Sequence, residues 1–186
     1  MKRRIIFIIS SLFIFFLVFF LIHNDYQQRK IDHISKRLTV FDTRIEATSK
    51  TLSDFSRYVL EQSINQEPVL HLMSEAVDAD TEERAIIRNK LYDLVSKDYE
   101  LLLRYNFRQL HFQLPDNTSF LRMHSVEQFG DDLSDVRETI RRVNETLTPV
   151  IAYEEGRIYN GYRFVYPLIY NGIHCGSVEI SFSMKS

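Results

Sequence analysis

An apolar run from Ile5 to Ile22 restricts the fold of this chain more than any other feature. It is written IIFIISSLFIFFLVFFLI, and Ser10 and Ser11 are its only polar residues. At about 1.5 Å rise per residue, a helix over this run would span roughly 27 Å. That length is close to the hydrocarbon thickness of a bilayer, so the run predicts a segment that enters a membrane.

The run predicts a permanent anchor rather than a cleaved signal peptide. A signal peptide has an apolar region of roughly 7–15 residues followed by small residues at the cleavage site, whereas HNDYQ follows this longer run. The basic flank MKRR precedes it, and such flanks stay in the cytoplasm. We therefore expect residues 1–4 in the cytoplasm, an anchor at 5–22 and the rest outside. In a Gram-negative bacterium that is the inner membrane, with the domain facing the periplasm.

The composition argues against several classes of function. The net charge is -2 and the pI is about 6.3, so no basic excess exists to neutralise nucleic-acid phosphates. Cys175 is the only cysteine, so neither an intrachain disulfide nor a multi-cysteine zinc site can form. The sequence holds no G-x-S-x-G, H-E-x-x-H or glycine-rich phosphate motif. We expect a protein that is not an enzyme and that carries no metal or cofactor.

A long stalk helix is predicted over residues 23–66. Its apolar residues recur at steps of three and four, with one gap at Thr48; they are Ile31, Ile34, Leu38, Phe41, Ile45, Leu52, Phe55 and Val59. Such an a/d seam must be buried, either against a second copy of the chain or against its own domain. We expect both, with pairing into a homodimer near the membrane and packing on the domain farther out.

The remaining residues, 67–186, predict one domain of the α+β class. Helices are expected at about 68–77 and 80–105, the second capped by Asp80 or Thr81. The apolar period then changes to two, which indicates strands. The full prediction is a five-stranded antiparallel sheet flanked by helices. Its later parts are strands near 110–114 and 120–124, a helix from Leu133 to Leu147, and strands near 150–157, 162–170 and 174–182, with turns at Asn160-Gly161 and Asn171-Gly172.

The segment FLRMH, residues 120–124, holds the sharpest candidates for ligand binding. Alternation places Phe120, Arg122 and His124 on one strand face. An arginine offers a two-pronged donor that matches a carboxylate, so Arg122 and His124 are predicted to grip an anionic group of a small molecule, such as an organic acid or amino acid.

Asp131 and Asp132 follow this strand and belong to the same set of candidate ligand-binding residues. Each could instead have a purely structural role. Arg122 could form a structural ion pair with either acid. Asp132 could instead be the N-cap of the following helix, with Ser134 as another possible cap. These alternatives stay open at the level of sequence.

The later strands add Tyr153, Arg163 and Tyr166 to the candidate ligand-binding residues. Tyr166 belongs to a stripe of tyrosines on one strand face, a pattern also typical of a core or dimer contact. Arg163 lies on the other face and needs an acidic partner, for which Glu154 and Glu179 are available.

Three segments resemble the Cache superfamily of PAS-like extracytoplasmic sensory domains: LHFQLPDNTSFLRMH, FGDDLSDVR and EEGRIYNGYRFVYPLIYNGIHCGSVEISF. They are most similar to double-Cache-type sensors of histidine kinases, chemoreceptors and diguanylate cyclases. The resemblance covers about residues 104–182. It implies a pocket between the sheet and the helix after the second strand. Members of that family continue into a second membrane helix and an output module, so this chain is expected to be a fragment or to lack an output.

Two functions follow from these observations. The first is a membrane-anchored sensor domain that binds a small molecule and transmits a conformational change along its long helix. The alternative is a dimeric anchored interaction module that has no small-molecule ligand and no output.

Overall fold

A computed structural model describes residues 2–154 and 161–183 of the chain, without the side chains of 2–5, 7, 9, 10, 153, 154 and 183. The chain divides into two compact units, Met1–Ser49 and Lys50–Ser186. The predicted Asn160-Gly161 turn falls partly outside the described residues.

Helix α1 is Lys2–Val59, and the stalk at residues 23–66 stays a prediction. In the first unit the seam residues are exposed in the single chain. Their exposed fractions are 59% for Ile31, 49% for Ile34, 57% for Leu38, 60% for Phe41 and 41% for Ile45. Part of the predicted anchor falls on side chains outside the described set, so the anchor stays a prediction.

In the described part of the chain, no helix is both long enough and apolar enough to cross a membrane.

The second unit opens with the last turns of α1 and a single π-helical turn, Leu60–Ile64, followed by α2, Glu67–Asp78, and α3, Thr81–Leu103. Asp80 caps α3 as predicted. Its carboxylate accepts hydrogen bonds of 2.9 Å from the backbone N–H groups of Glu82 and Glu83, and the Glu83 carboxylate accepts the Asp80 N–H in return.

The predicted five-stranded antiparallel sheet is confirmed, with the spatial order β2-β1-β5-β4-β3. Asn171 and Gly172 have positive φ values of 52° and 81°, as the predicted tight turn between the last two strands requires. The strands are β1, Phe107–Gln113; β2, Ser119–Arg122; β3, Val150–Glu154; β4, Gly161–Tyr170; and β5, Ile173–Ser183.

The helix after β2 is shorter than predicted. Helix α4 is Glu138–Thr146, and Arg137 rather than Asp132 is its N-cap residue. The prediction of Asp132 as the cap is therefore wrong. Leu133 packs with Ile140 and Val143 as its place in the apolar stripe suggests, but its carbonyl accepts from Val136 and Arg137 within a separate turn.

The sheet has two faces with different contents. On the helix face, the end of α1 with α2 and α3 covers the main apolar core. On the opposite face, α4 adds a small apolar cluster around Val165. The core of the second unit therefore has two separate parts, one on each side of the sheet.

A bulge between β1 and β2 changes one predicted side-chain direction. The register shifts between Phe112 and Gln113. Consequently, Phe120 and Leu121 both join the core of the helix face. The prediction that Phe120 shares a face with Arg122 and His124 is wrong, because an extra residue at a bulge breaks the alternation.

Candidate functional site

The face of the sheet under α4 is lined by polar side chains and is called the polar face below. Strand pairing places its members side by side, for example Gln109 with Ser181 and Arg163. Most of them are shielded from water despite their polarity. Its members are Gln109, His111, Gln113, Ser119, Arg122, Arg163, Ser177, Glu179 and Ser181.

An ion pair lies at the centre of the polar face. Arg163 and Glu179 are 2% and 1% exposed, and Nη1 of Arg163 donates to Oε1 of Glu179. The same nitrogen donates to Oε1 of Gln109 at 3.2 Å, and the Ser181 hydroxyl donates to that oxygen at 3.1 Å. The predicted partnership of Arg163 with Glu179 is confirmed. A buried pair needs such additional hydrogen bonds to offset the loss of hydration.

His111 and His124 lie next to this pair, with ring centroids 6.4 Å apart and nearly perpendicular planes. His111 is buried, and its Nε2 is 2.8 Å from the Ser119 hydroxyl. Burial, followed by the nearby cations, lowers its pKa well below the usual value. Sequence reasoning did not select His111 for this site, because nothing local distinguishes it from any other strand histidine.

His124 lies at the rim of the polar face and keeps part of its side chain exposed. Desolvation of the ring, then the charges of Arg122, Arg137 and Arg163, lower its pKa to about 4. Both histidines are therefore neutral near neutral pH, and the three arginines supply the positive charge around them.

Arg122 forms the structural ion pair that was one of its two predicted roles. Its two terminal nitrogens each donate to one oxygen of Asp131 at 2.7 Å, and Nη1 also donates to the Gln128 carbonyl at 2.8 Å. This hydrogen bonding lowers the pKa of Asp131. The Arg122 side chain is 13% exposed and that of Asp131 54%, so the pair lies at the rim with the acid facing water.

The loop between β2 and α4 is fastened to the edge of β2. The Gly130 N–H donates to the Ser119 carbonyl at 2.8 Å, and the Ser119 N–H donates to the Asp131 carbonyl at 3.0 Å. Gly130 has a φ of 84°, a value that glycine adopts without strain. The loop therefore lies along the edge of the sheet at β2 and is held there by its backbone and by Arg122.

Arg88 on α3 holds the same loop from the helix side, and sequence reasoning missed it. Its guanidinium carbon lies 3.6 Å from the ring centroid of Phe129 and 5.2 Å from that of Phe120. Its Nε donates to the Phe120 carbonyl at 2.7 Å. No sequence signal pairs an arginine of α3 with a loop so far along the chain.

The structure does not bring all seven predicted site residues together. Arg122, His124, Asp131 and Arg163 lie on or beside the polar face. Tyr166 lies on the helix face, where its hydroxyl is 2.6 Å from that of Ser56 on α1. Two others lie apart: Asp132 forms an exposed turn, in which it accepts the Ser134 N–H, and the Tyr153 side chain is outside the described residues.

Residues 28–186 match the family described as the double sensory domain of two-component sensor kinases. The chain belongs to that family. This confirms the resemblance found in the sequence, and the double sensory family is a sensory rather than a catalytic one. No curated protein matches the chain in sequence.

Solved structures with the same fold include two bacterial sensor domains. The chain is 12% identical to the sensor domain of the Vibrio cholerae histidine kinase DctB, with a TM-score of 0.60. The match covers 85% of this chain and 57% of that one. It is also 12% identical to the Escherichia coli DcuS sensor domain, with a TM-score of 0.52 and coverages of 74% and 92%. At such identities the likeness shows the fold alone.

A chemoreceptor domain is also among the matches. The Campylobacter jejuni Tlp3 sensory domain, solved with isoleucine bound, is 14% identical with a TM-score of 0.43; the match covers 75% of this chain and 60% of that one. The chain spans 53% to 57% of the length of several of the solved domains it matches.

Proposed function

We propose that this chain is a membrane-anchored extracytoplasmic sensor domain that binds a small anionic molecule at the rim of the polar face. Membership of a double sensory family supports the sensory role. The anchor at 5–22 and the outward-facing domain remain part of the proposal. They rest on the apolar run and on its basic flank.

A cluster of arginines on and beside the polar face is the observation that carries the proposal. Three arginines, Arg122, Arg137 and Arg163, lie close enough to both histidines to lower their pKa values. Arg122 presents its two terminal nitrogens to the carboxylate of Asp131, which is 54% exposed. A donor pair that already binds a carboxylate near water favours a ligand with a carboxylate or similar anion.

Arg122 provides a way for such a ligand to change the conformation of the domain. The two-pronged bond of Arg122 ends on the exposed Asp131. A ligand carboxylate would compete with Asp131 for the two terminal nitrogens of Arg122 and would release the Asp131 side chain, one of the contacts that fasten the loop. A ligand that binds the released state more tightly shifts the equilibrium toward it.

Strand β4 connects this site with the long helix. Arg163 points to the polar face and Tyr166, three positions later, forms its buried bond with Ser56 of α1. We infer that a displacement of β4 is passed to α1 through this contact. Pairing of the exposed seam from Ile31 to Ile45 with a second copy would give a homodimer whose two helices carry the change.

The test is a ligand screen on the full chain purified in detergent. Organic acids and amino acids are added, and the midpoint of thermal unfolding is measured. A hit is expected to raise the midpoint by several degrees, and R122Q and H124Q should abolish the rise. The control is R141Q, because Arg141 binds Glu138 and Glu145 on the exposed side of α4, away from the polar face. Retention of the full rise in R122Q would contradict the proposal.

The interaction module without a ligand is the second candidate. It is favoured by the internal pairing of the polar face, where Ser177 donates to Gln113 and Arg163 donates to Glu179. This candidate gains support if no acid or amino acid stabilises the chain and a protein partner is recovered whose binding survives R122Q.

A further inference from the structure

A groove of about 560 Å³ opens on the helix side of the second unit, separate from the polar face. Its walls are the last turns of α1, the π-helical turn, the C-terminal part of α3 and the end of β5 at Phe182. Sites for small molecules have volumes of roughly 300–1,000 Å³ and mainly apolar walls. The groove therefore has the size and lining of a ligand site.

Aromatic rings form one side of this groove. The Phe55 ring centroid lies 5.8 Å from that of Tyr105 and 6.4 Å from that of Tyr58. Tyr58 and Tyr105 are each 60% exposed, and Leu101 between the walls is 51% exposed. Single exposed apolar residues are common, but a concave group of them indicates a surface that something covers.

Asp98 is the one charged residue among those that line the groove. It is half-buried on α3, and no ion pair joins it to a cation in the parts of the chain that the structure describes. The carboxylate attracts a cation through its charge. The exposed aromatic rings beside it attract the same cation through the negative charge of their faces.

We propose that the groove binds a small organic cation, an ammonium group on an apolar body. The ammonium lies between Asp98 and the rings of Tyr58 and Tyr105, and the apolar body packs on Phe55 and Leu101. This site shares no residue with the polar face. A failed screen for acids therefore leaves this proposal intact, and its own failure leaves the sensor proposal intact.

The experiment compares a cation with its neutral counterpart on the full chain in lipid nanodiscs. The probes are 2-phenylethylammonium and 2-phenylethanol, and binding is measured by calorimetry against empty nanodiscs. The cation is expected to bind about tenfold more tightly than the alcohol, since hydrogen bonds to charged groups are the stronger ones. D98N is expected to remove this difference, and Y105L to weaken the cation about threefold.

The matched control is D93N, an exposed aspartate on the same helix outside the groove, which is expected to bind like the original chain. Equal affinity of the two probes for the original chain overturns the proposal, as does tight cation binding by folded D98N. A groove filled by a second copy overturns it too; Y58D would then lower the oligomeric mass, and the original chain would bind neither probe.

Discussion

The two faces of the sheet are built from the same strands but are stabilised in opposite ways. Strand β5 contributes to both: Val178, Ile180 and Phe182 face the helices, while Ser177, Glu179 and Ser181 lie on the polar face. An apolar side chain is stabilised wherever water is excluded. A buried polar side chain is stabilised only by a partner at hydrogen-bonding distance.

This difference teaches where a ligand can act. A hydrogen bond on the polar face can be exchanged for a bond to a ligand that carries the same kind of acceptor. The two bonds from Arg122 to the Asp131 carboxylate are an example, because a ligand carboxylate could accept them instead. The apolar contacts in the buried core of the helix face have no such substitute, so that core is suited to transmit a displacement.

The largest effect is expected from E179A, which removes one partner of the buried ion pair. Arg163 would lose the Glu179 carboxylate while its charge stays buried, and the free energy of unfolding should fall by about 3–5 kcal/mol. Urea denaturation of the detergent-purified chain, followed by circular dichroism, measures the loss. The control is E145A, whose carboxylate pairs with Arg141 at the surface and should cost less than about 1 kcal/mol. Similar losses of stability in E179A and E145A would show that the buried ion pair matters no more than the exposed one.

A smaller effect is expected from Y166F on the helix face. This change removes the bond between the Tyr166 and Ser56 hydroxyls and should cost about 1–2 kcal/mol, because Ser56 is fully buried. A double-mutant cycle with S56A isolates the coupling between the two groups. Y92F, at an exposed position of α3, is the control. A coupling energy near zero would show that this contact does not hold β4 to α1.

An apolar change beside Glu179 should cost less again. I180V removes one buried methyl group and should lower the free energy of unfolding by about 1 kcal/mol, without the loss of any hydrogen bond. The matched variant is I173V, because Ile173 lies on the same strand and is 68% exposed. Should I180V cost as much as E179A, the two faces would not differ as described.

The smallest effect near neutral pH is expected from His111. Its pKa is lowered in the folded state, so the unfolded chain binds the proton more readily and stability falls as pH decreases through the usual value of about 6.5. Between pH 7.5 and 6.5 the loss should be about 0.4 kcal/mol and should increase at lower pH. Urea denaturation at several pH values measures it. H111Q should remove this contribution and leave that of His124, whose pKa is also lowered. H71Q, at an exposed position of α2, is the control variant.

Much of the sheet could be predicted because its causes are local. Alternation along β4 and β5 fixes which side chains share a face, and Asn171-Gly172 supplies the positive φ values of the turn. The partnership of Arg163 with Glu179 was predictable for a different reason: a lone charge within an apolar strand needs an opposite charge nearby.

The errors have causes that a local pattern does not contain. The turn at Leu133 keeps the apolar spacing of a helix without its backbone, so the start of α4 was placed too early. The bulge opposite Gln113 turns the Phe120 side chain to the other face of the sheet. Neither β1 nor β2 contains a Gly or Pro that would mark the bulge in the sequence. Arg88 reaches Phe129 across the fold, and contacts between distant parts of a chain are invisible to periodicity.

The strand order has a consequence for how the protein is made. Strand β5 occupies the middle of the sheet, between β1 and β4, yet it leaves the ribosome after the other four strands of this sheet. Until β5 emerges, the β1–β2 hairpin and the β3–β4 pair cannot join into one sheet, because β5 is the strand that pairs with both. We therefore expect nascent chains that stall before Ile173 to remain open and prone to aggregate, and folding to finish only after translation has passed this strand.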